Sequence, residues 1–395
     1  MMYLTPVVDS ITAALAIASL ALAIWIYLLV ARGGFWRTVE REDGTAPTPA
    51  HWPDVVAVIP ARDEAEVIVR NLTSLLTQHY PGSFAVVLID DQSRDGTAAL
   101  AERAAATVGA AGRLTIVNGR TPPPGWGGKV WAMKQGVECV ESAAAPRYLL
   151  FTDADIAYDP GALRHLVARA EAGDLVLTSY MVKLRCESVS ERLFIPAFVY
   201  FFRMLYPFAW VNRPGGTAAA AGGCMLVRSE ALRAAGGIDA IRGALIDDCA
   251  LGRAMKMIGP IWLGLTDRVH SLRAYPDLGD VRRMVARTAY DQLNYSPLLL
   301  LATVAAISLV YLVPPGLAVF GSGLAQAAAA AAWMLMLLTF QPMLRFYRLS
   351  PLWALALPAV ALAYMAFTLD SAYQHARGRG GSWKGRVHAN VSELQ

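Results

Sequence analysis

Charge is scarce in this sequence. Only 17% of its 395 residues are Asp, Glu, Lys or Arg, while 55% are hydrophobic. An ordinary soluble domain carries about 25% charged residues, so part of this chain is expected in lipid. The net charge of +4 is small and there is no dense basic stripe. That excludes an extended nucleic-acid footprint and suits a membrane surface. Cysteine is sparse too: Cys139, Cys186, Cys224 and Cys249 form no Cys-x-x-Cys pair. Neither a zinc site nor a disulfide framework is indicated, which is compatible with a reducing cytosol. No basic segment precedes the first apolar run, where the only early charge is Asp9. A cleavable signal peptide is therefore not expected.

What is present falls into blocks. Residues 11–30 are almost unbroken apolar and match the ~20 residues of a membrane-spanning helix. An N-terminal anchor is expected over residues 8–31. Arg32, Arg37 and Arg41 follow it and place the next segment in the cytoplasm by the positive-inside rule. A Pro- and Gly-containing linker covers residues 42–53. From there short buried-strand patterns (55–60, 85–89, 114–117, 148–151) alternate with helical ones (65–78, 97–108, 130–142), which predicts a parallel sheet. Residues 175–177 and 224–227 are further strand candidates. Residues 193–210 are dense in aromatics and carry Arg203, a pattern that suits a helix in the headgroup interface or a buried core helix. Within residues 297–373, three apolar stretches (297–313, 324–340, 352–369) are candidate spans, separated by Pro314-Pro315-Gly316 and by Arg345-Phe346-Tyr347-Arg348. A basic tail, 374–395, contains Arg377, Arg379, Lys384 and Arg386. Three simple spans would leave that tail outside, against the positive-inside rule. One stretch is then re-entrant, or residues 298–320 cross twice.

The chemistry gathers at strand ends. Tyr148-Leu149-Leu150-Phe151 runs into Thr152-Asp153-Ala154-Asp155, the first strand into Asp63-Glu64 and the second into Asp90-Asp91. Ligands of open α/β sheets bind at the carboxyl ends of strands, where two such carboxylates suit a hard divalent cation bridging to a diphosphate. A single acidic strand end is equally well a turn. Three neighbouring ones would crowd negative charge and raise pKa values unless cations or hydrogen-bond donors fill the crevice. A sugar nucleotide supplies donors from its base and ribose, and its diphosphate brings in the metal.

Val58-Ile59-Pro60-Ala61-Arg62-Asp63-Glu64, Asp90-Asp91-Gln92-Ser93-Arg94-Asp95-Gly96-Thr97 and Phe151-Thr152-Asp153-Ala154-Asp155, in that order, resemble the signature of the inverting family 2 glycosyltransferases with a GT-A fold. The likeness runs over residues 55–294. The single anchor, Gly125-Trp126-Gly127-Gly128-Lys129 and the apolar C-terminal third look more narrowly like the hopene-associated glycosyltransferases of bacterial hopanoid gene clusters. The resemblance implies an α/β fold of the GT-A type, Rossmann-like with a mixed, mostly parallel sheet, over residues 52–294 at the cytoplasmic face of a bacterial inner membrane. It implies that Asp63, Glu64 and Asp91 hold the base and ribose of a nucleotide-sugar donor, with a UDP-sugar expected ahead of a GDP-sugar. Asp153 and Asp155 would hold Mg²⁺ or Mn²⁺ on the diphosphate, Asp155 the more directly. Asp247-Asp248 matches the position of the family's acidic pair ahead of a helix. An inverting transfer needs one base for the acceptor hydroxyl, assigned to Asp248 with Asp247 in support. Read alone, the pair is also an acidic first helical turn.

Gly222 and Gly223 match the family's Gly-rich segment beside the acceptor, and alone read as a turn. Gly125 to Lys129 is not a phosphate-binding P-loop: Pro123 stands where its first Gly belongs and Val130 where Ser or Thr is required. Lys129, at a helix start, is expected to meet the diphosphate or to be a solvated lysine. The Gln-x-x-Arg-Trp motif of processive members is missing from residues 282–292, which favours transfer of a single sugar, with Arg287 left to offset leaving-group charge. His270 is expected as a structural residue or a late metal ligand. The reading is transfer of one sugar to a lipid or polyprenol-like acceptor. A processive polysaccharide synthase and a non-catalytic scaffold are the alternatives.

Overall fold

The computed structural model describes residues 5–42, 47–143, 145–378, 382–383 and 386–387. Residues 43–46 of the expected linker, and Arg379 and Lys384 of the basic tail, lie outside these. In chain order come α1 (Thr5–Val30), β1 (Val55–Ala61), α2 (Ile68–Leu76), β2 (Phe84–Asp90), α3 (Thr97–Thr107), β3 (Leu114–Asn118) and α4 (Gly128–Ala143). Next are β4 (Tyr148–Phe151), β5 (Ile156–Tyr158), α5 (Ala162–Ala172), β6 (Leu177–Lys183), α6 (Val189–Leu205), the one-turn α7 (Phe208–Val211) and β7 (Met225–Arg228). Then follow α8 (Ser229–Ala234), α9 (Asp247–Lys256), β8 (Ile261–Ser271), α10 (Leu278–Ala286), α11 (Pro297–Ile307), α12 (Val313–Phe320), α13 (Gly323–Phe346) and α14 (Leu357–Ala376). They divide between two compact units, each assembled from separated stretches of chain.

The unit built from Glu40–Arg185 and Trp210–Ala274 contains a mixed sheet in the order β3-β2-β1-β4-β7-β6-β8-β5. β1 pairs in parallel with β2 on one side and β4 on the other, and β2 with β3. β7 runs antiparallel between β4 and β6, β8 is parallel to β6, and β5 is antiparallel to β8. The parallel strands are near-continuous apolar runs because helices cover both faces of such a sheet. One of them, α4, comes so close at Gly136 that a Cβ there would lie 2.4 Å from Val58 and 2.6 Å from Ile89. The topology sets the carboxyl ends of β2, β1 and β4 side by side, and the loops carrying the acidic residues leave from that edge. The expected parallel strands are present. β5 and β8 were not anticipated.

The other unit, Met1–Val39, Cys186–Ala209 and Tyr275–Gly380, is helical. Trp25 of α1 donates its indole N–H to the Val310 carbonyl at 2.8 Å. Phe35, just past α1, and Phe340 of α13 both meet the ring of Tyr200 of α6, at 5.2 and 5.1 Å between centroids. α6 starts in a capping box between Ser188 and Glu191 and buries Phe194, Ile195, Val199 and Tyr200. The aromatic face of the 193–210 segment thus packs inward. Arg203 is fully buried, donates to the Arg37 carbonyl and lies over the Phe208 ring. The prolines at 314 and 315 do not separate two spans, as the sequence suggested. A π-helical turn, Ser308–Leu312, absorbs the lost donors, and Pro297–Phe320 runs as one helix. Its 24 residues reach about 36 Å, a length that fits one crossing and not two. Among the described residues five helices are long and apolar enough to cross a membrane: Thr12–Val30, Val189–Val211, Pro297–Phe320, Gly323–Phe346 and Pro351–Ala376.

Candidate active site

The loops after β1 and β2 are tied together by their own polar side chains. Asp63 accepts from the Arg94 N–H at 2.8 Å, the Asp63 N–H donates to Ser93, and the Glu64 and Ala65 N–H groups donate to Thr97 and Asp95. Asp63 and Gln92 both adopt left-handed backbone conformations, at φ 50° and 59°. Strained backbone of this kind persists where surrounding bonds hold it, and it clusters at functional sites. Asp91, buried at the end of β2, receives Arg62, whose Nη1 donates to its carbonyl at 2.6 Å and lies 3.4 Å from its Oδ2.

Beyond β4 the carboxylates meet two cations. Lys129 Nζ, on the first turn of α4, lies 2.9 Å from Asp153 Oδ1 and 3.0 Å from Asp247 Oδ2. Asp247 Oδ2 is buried, and this ion pair is the contact it makes with a cation. Arg273, two residues past β8, donates from Nε to Asp155 Oδ2 at 2.6 Å and from Nη2 to Glu64 at 3.1 Å. The crowding expected at three acidic strand ends is therefore relieved by Arg62, Lys129 and Arg273 of the chain itself. Arg273 was not singled out in the sequence. The strand before it was not read from the sequence either, and its partners lie 118 and 209 residues away.

Asp247 and Asp248 open α9, where the helix dipole favours negative charge. Ile246 occupies the N-cap, so neither carboxylate serves as the cap. Asp248 accepts from the Gly222 N–H at Oδ2 (2.9 Å) and from the Cys249 N–H at Oδ1 (2.7 Å). A Cβ at Gly222 would stand at ordinary van der Waals distance, 3.4 Å, from both Asp248 Oδ2 and Lys129 Nζ. Gly223 accepts from the Thr152 hydroxyl at 2.8 Å, linking the glycine pair to the end of β4. Burial first, and then the Asp247 charge, push the Asp248 carboxyl up to about 6, against the pull of Lys129 and the two N–H donors. Asp153 is also raised, by burial, with Lys129 opposing. Lys129 is held above its ordinary value by Asp153 and Asp247, although burial acts the other way.

Asp63, Glu64, Asp91, Lys129, Asp153, Asp155, Gly222, Gly223, Asp247 and Asp248 all belong to the sheet-containing unit. Arg287 belongs to the helical one, at the C-cap of α10. His270 pairs with Ala157 across β8 and β5 and lies 3.7 Å from Asp159. Among the described residues no three His, Cys, Asp or Glu side chains converge on a metal-sized site. The Asp153 and Asp155 oxygens nonetheless fit a hard cation of the Mg²⁺ type, which is commonly held by one or two carboxylates with substrate phosphates and water completing its shell.

Residues 53–264, more than half of the chain, match the family described as "Glycosyltransferase like family 2". The chain belongs to that family. Its sheet is the mixed, mostly parallel one of GT-A enzymes, with one apolar helix before it and several in the C-terminal region. The mannosyltransferase PcManGT from Pyrobaculum calidifontis, solved in complex with GDP-Man and Mn²⁺, superposes with a TM-score of 0.54 at 19% identity, over 92% of this chain and 99% of that one. TarS of S. aureus gives 0.39 at 13% identity, over 84% of this family 2 chain and 56% of the other. No curated protein matches by sequence.

Proposed function

We propose that this family 2 glycosyltransferase moves one sugar, with inversion, from a nucleotide-sugar to a lipid or polyprenol-like acceptor at the cytoplasmic face of a bacterial inner membrane. The observation that carries the reading is the grouping of Asp153, Asp247 and Asp248 around Lys129, with Asp155 paired to Arg273 close by. Asp248 is the general base: its two N–H donors aim the carboxylate, and its raised pKa keeps it basic enough to accept a proton from a hydroxyl near neutral pH. Asp247 supports it and Gly222 and Gly223 leave room for the acceptor. Asp63, Glu64 and Asp91 bind the base and ribose. Lys129 neutralises Asp153 and Asp247 and meets the diphosphate, while Arg287 offsets leaving-group charge. Asp153 and Asp155 would hold Mg²⁺ or Mn²⁺, whose charge stabilises the departing nucleoside diphosphate.

A lipid acceptor accords with the apolar helices, and a hopanoid with the sequence resemblance. A UDP-sugar is the first donor to try, and the likeness to a fold solved with GDP-Man puts GDP-mannose beside it. Calorimetric titration of the detergent-purified protein with UDP- and GDP-sugars, with and without Mn²⁺, tests the reading. One donor should bind only with the metal, and Asp155→Ala should abolish that binding. Folded protein that binds none of the panel would sink it.

A further inference from the structure

The side on which the chain emerges after α14 was left open by the sequence, and contacts within the helical unit bear on it. α1 and α13 run parallel, because Phe35 past the end of α1 and Phe340 near the end of α13 share the ring of Tyr200. Pro297–Phe320 runs opposite to both: Gln326, early in α13, donates to the Ala318 carbonyl, and Trp25, late in α1, donates to that of Val310. Pro297 and Phe346 therefore lie at the end of the bundle marked by Arg32, which donates to the Met204 carbonyl.

Both ends of α14 are at this same level. In the 3₁₀ turn Pro351–Ala356 that leads into its start, the Pro351 carbonyl accepts from Gln341 near the end of α13. Towards its other end Asp370 pairs with Arg282 at 3.1 Å, Ser371 accepts from the Tyr290 N–H, and His375 stacks on Tyr295 at 4.2 Å. Arg282, Tyr290 and Tyr295 all precede Pro297. A helix crossing the bilayer would have its ends about 30 Å apart in depth.

We infer that α14 lies along the cytoplasmic leaflet instead of crossing it, so that the protein has three spans and the chain after α14 returns to the cytoplasm. The occupant of its outer face is lipid. Leu355, in the 3₁₀ turn that leads into α14, and Ala359, Leu362, Ala366, Leu369 and Tyr373 of α14, at alternating steps of four and three, form an exposed stripe without a charged side chain. On the other side α14 packs on α6, α10 and α11. Three crossings from an outside amino terminus also put Arg345, Arg348 and Arg377 on the same side as Arg32 and Arg37, in agreement with the positive-inside rule. The conflict over the tail arises only if α14 is counted as a span.

A membrane-impermeant maleimide tests this in the full chain with Cys139 and Cys186 replaced by Ser. Ser322→Cys, between Pro297–Phe320 and α13, should label in intact cells, and Arg377→Cys only after permeabilisation. Labelling of Arg377→Cys in intact cells overturns the inference. As an independent readout, a nitroxide on Leu362→Cys should sit at shallow depth in oxygen and nickel-chelate accessibility. A position at the bilayer centre, where the midpoint of a crossing helix belongs, also overturns it.

Discussion

Asp248 is the residue whose surroundings bear most directly on chemistry. Its carboxylate is half-buried beside a second carboxylate and aimed by two backbone donors. As the proposed base, it must be ionised to act. With a pKa near 6, the ionised fraction falls as pH drops through that value, so the transfer rate should lose up to tenfold per pH unit below about 6 and level off above it. Lys129 holds this pKa down, and Lys129→Met should move the acid limb to higher pH. Asp248→Asn keeps the size and removes the basicity, but its single amide oxygen can accept from only one of the two N–H groups. It should lower kcat by roughly 10²–10⁴-fold. Donor affinity measured by calorimetry should stay unchanged, and a comparable loss of donor binding would mean that Asp248 holds the donor rather than the proton. The acidic members of the site were legible in the sequence because they stand directly after apolar strand runs. Arg273 was not, since its role depends on Asp155 and Glu64 arriving from distant parts of the chain.

Among the elements, α4 does two jobs that its sequence only half discloses. Its first turn carries Lys129 to the acidic cluster, and its middle lies against β1 and β2 through Gly136. In a helix interior glycine costs roughly 1 kcal/mol relative to alanine, so its presence signals a packing demand. Gly136→Val would drive a branched side chain into Val58 and Ile89 and should destabilise the unit by about 1–3 kcal/mol, the usual cost of overpacking. A thermal unfolding scan of the purified protein reads this as a lowered midpoint, and an unchanged midpoint would mean that the helix can back away from the sheet. The parallel strands were readable as apolar runs alternating with helices. β5, with three residues, and the pairing of β8 with β6 across intervening helices left no local pattern to read.

For the whole molecule, the absence of Gln-x-x-Arg-Trp from residues 282–292 bears on the product. Incubation with donor and a lipid acceptor should give a product heavier by one sugar, as read by mass spectrometry. A ladder of additions would instead favour the processive alternative. The membrane-facing part shows the reach of composition most clearly. Hydropathy found the apolar stretches, but it treats every such stretch as a span. Whether α14 crosses depends on which residues its two ends touch, and that is a matter of packing.

By itself the sequence determined the family, the alternation of β1 to β4 with the helices between them, and the carboxylates at the ends of three strands. These rest on local pattern, apolar periodicity and the residue that follows each run, which a linear reading can follow. Only the tertiary structure decided that Lys129 and Arg273 neutralise those carboxylates, that the Gly222 N–H holds Asp248, that the double proline continues one helix, and that both ends of α14 meet at one level. Each depends on groups far apart in the chain coming within hydrogen-bond or ring-contact distance, and distance in space is not written in the order of residues.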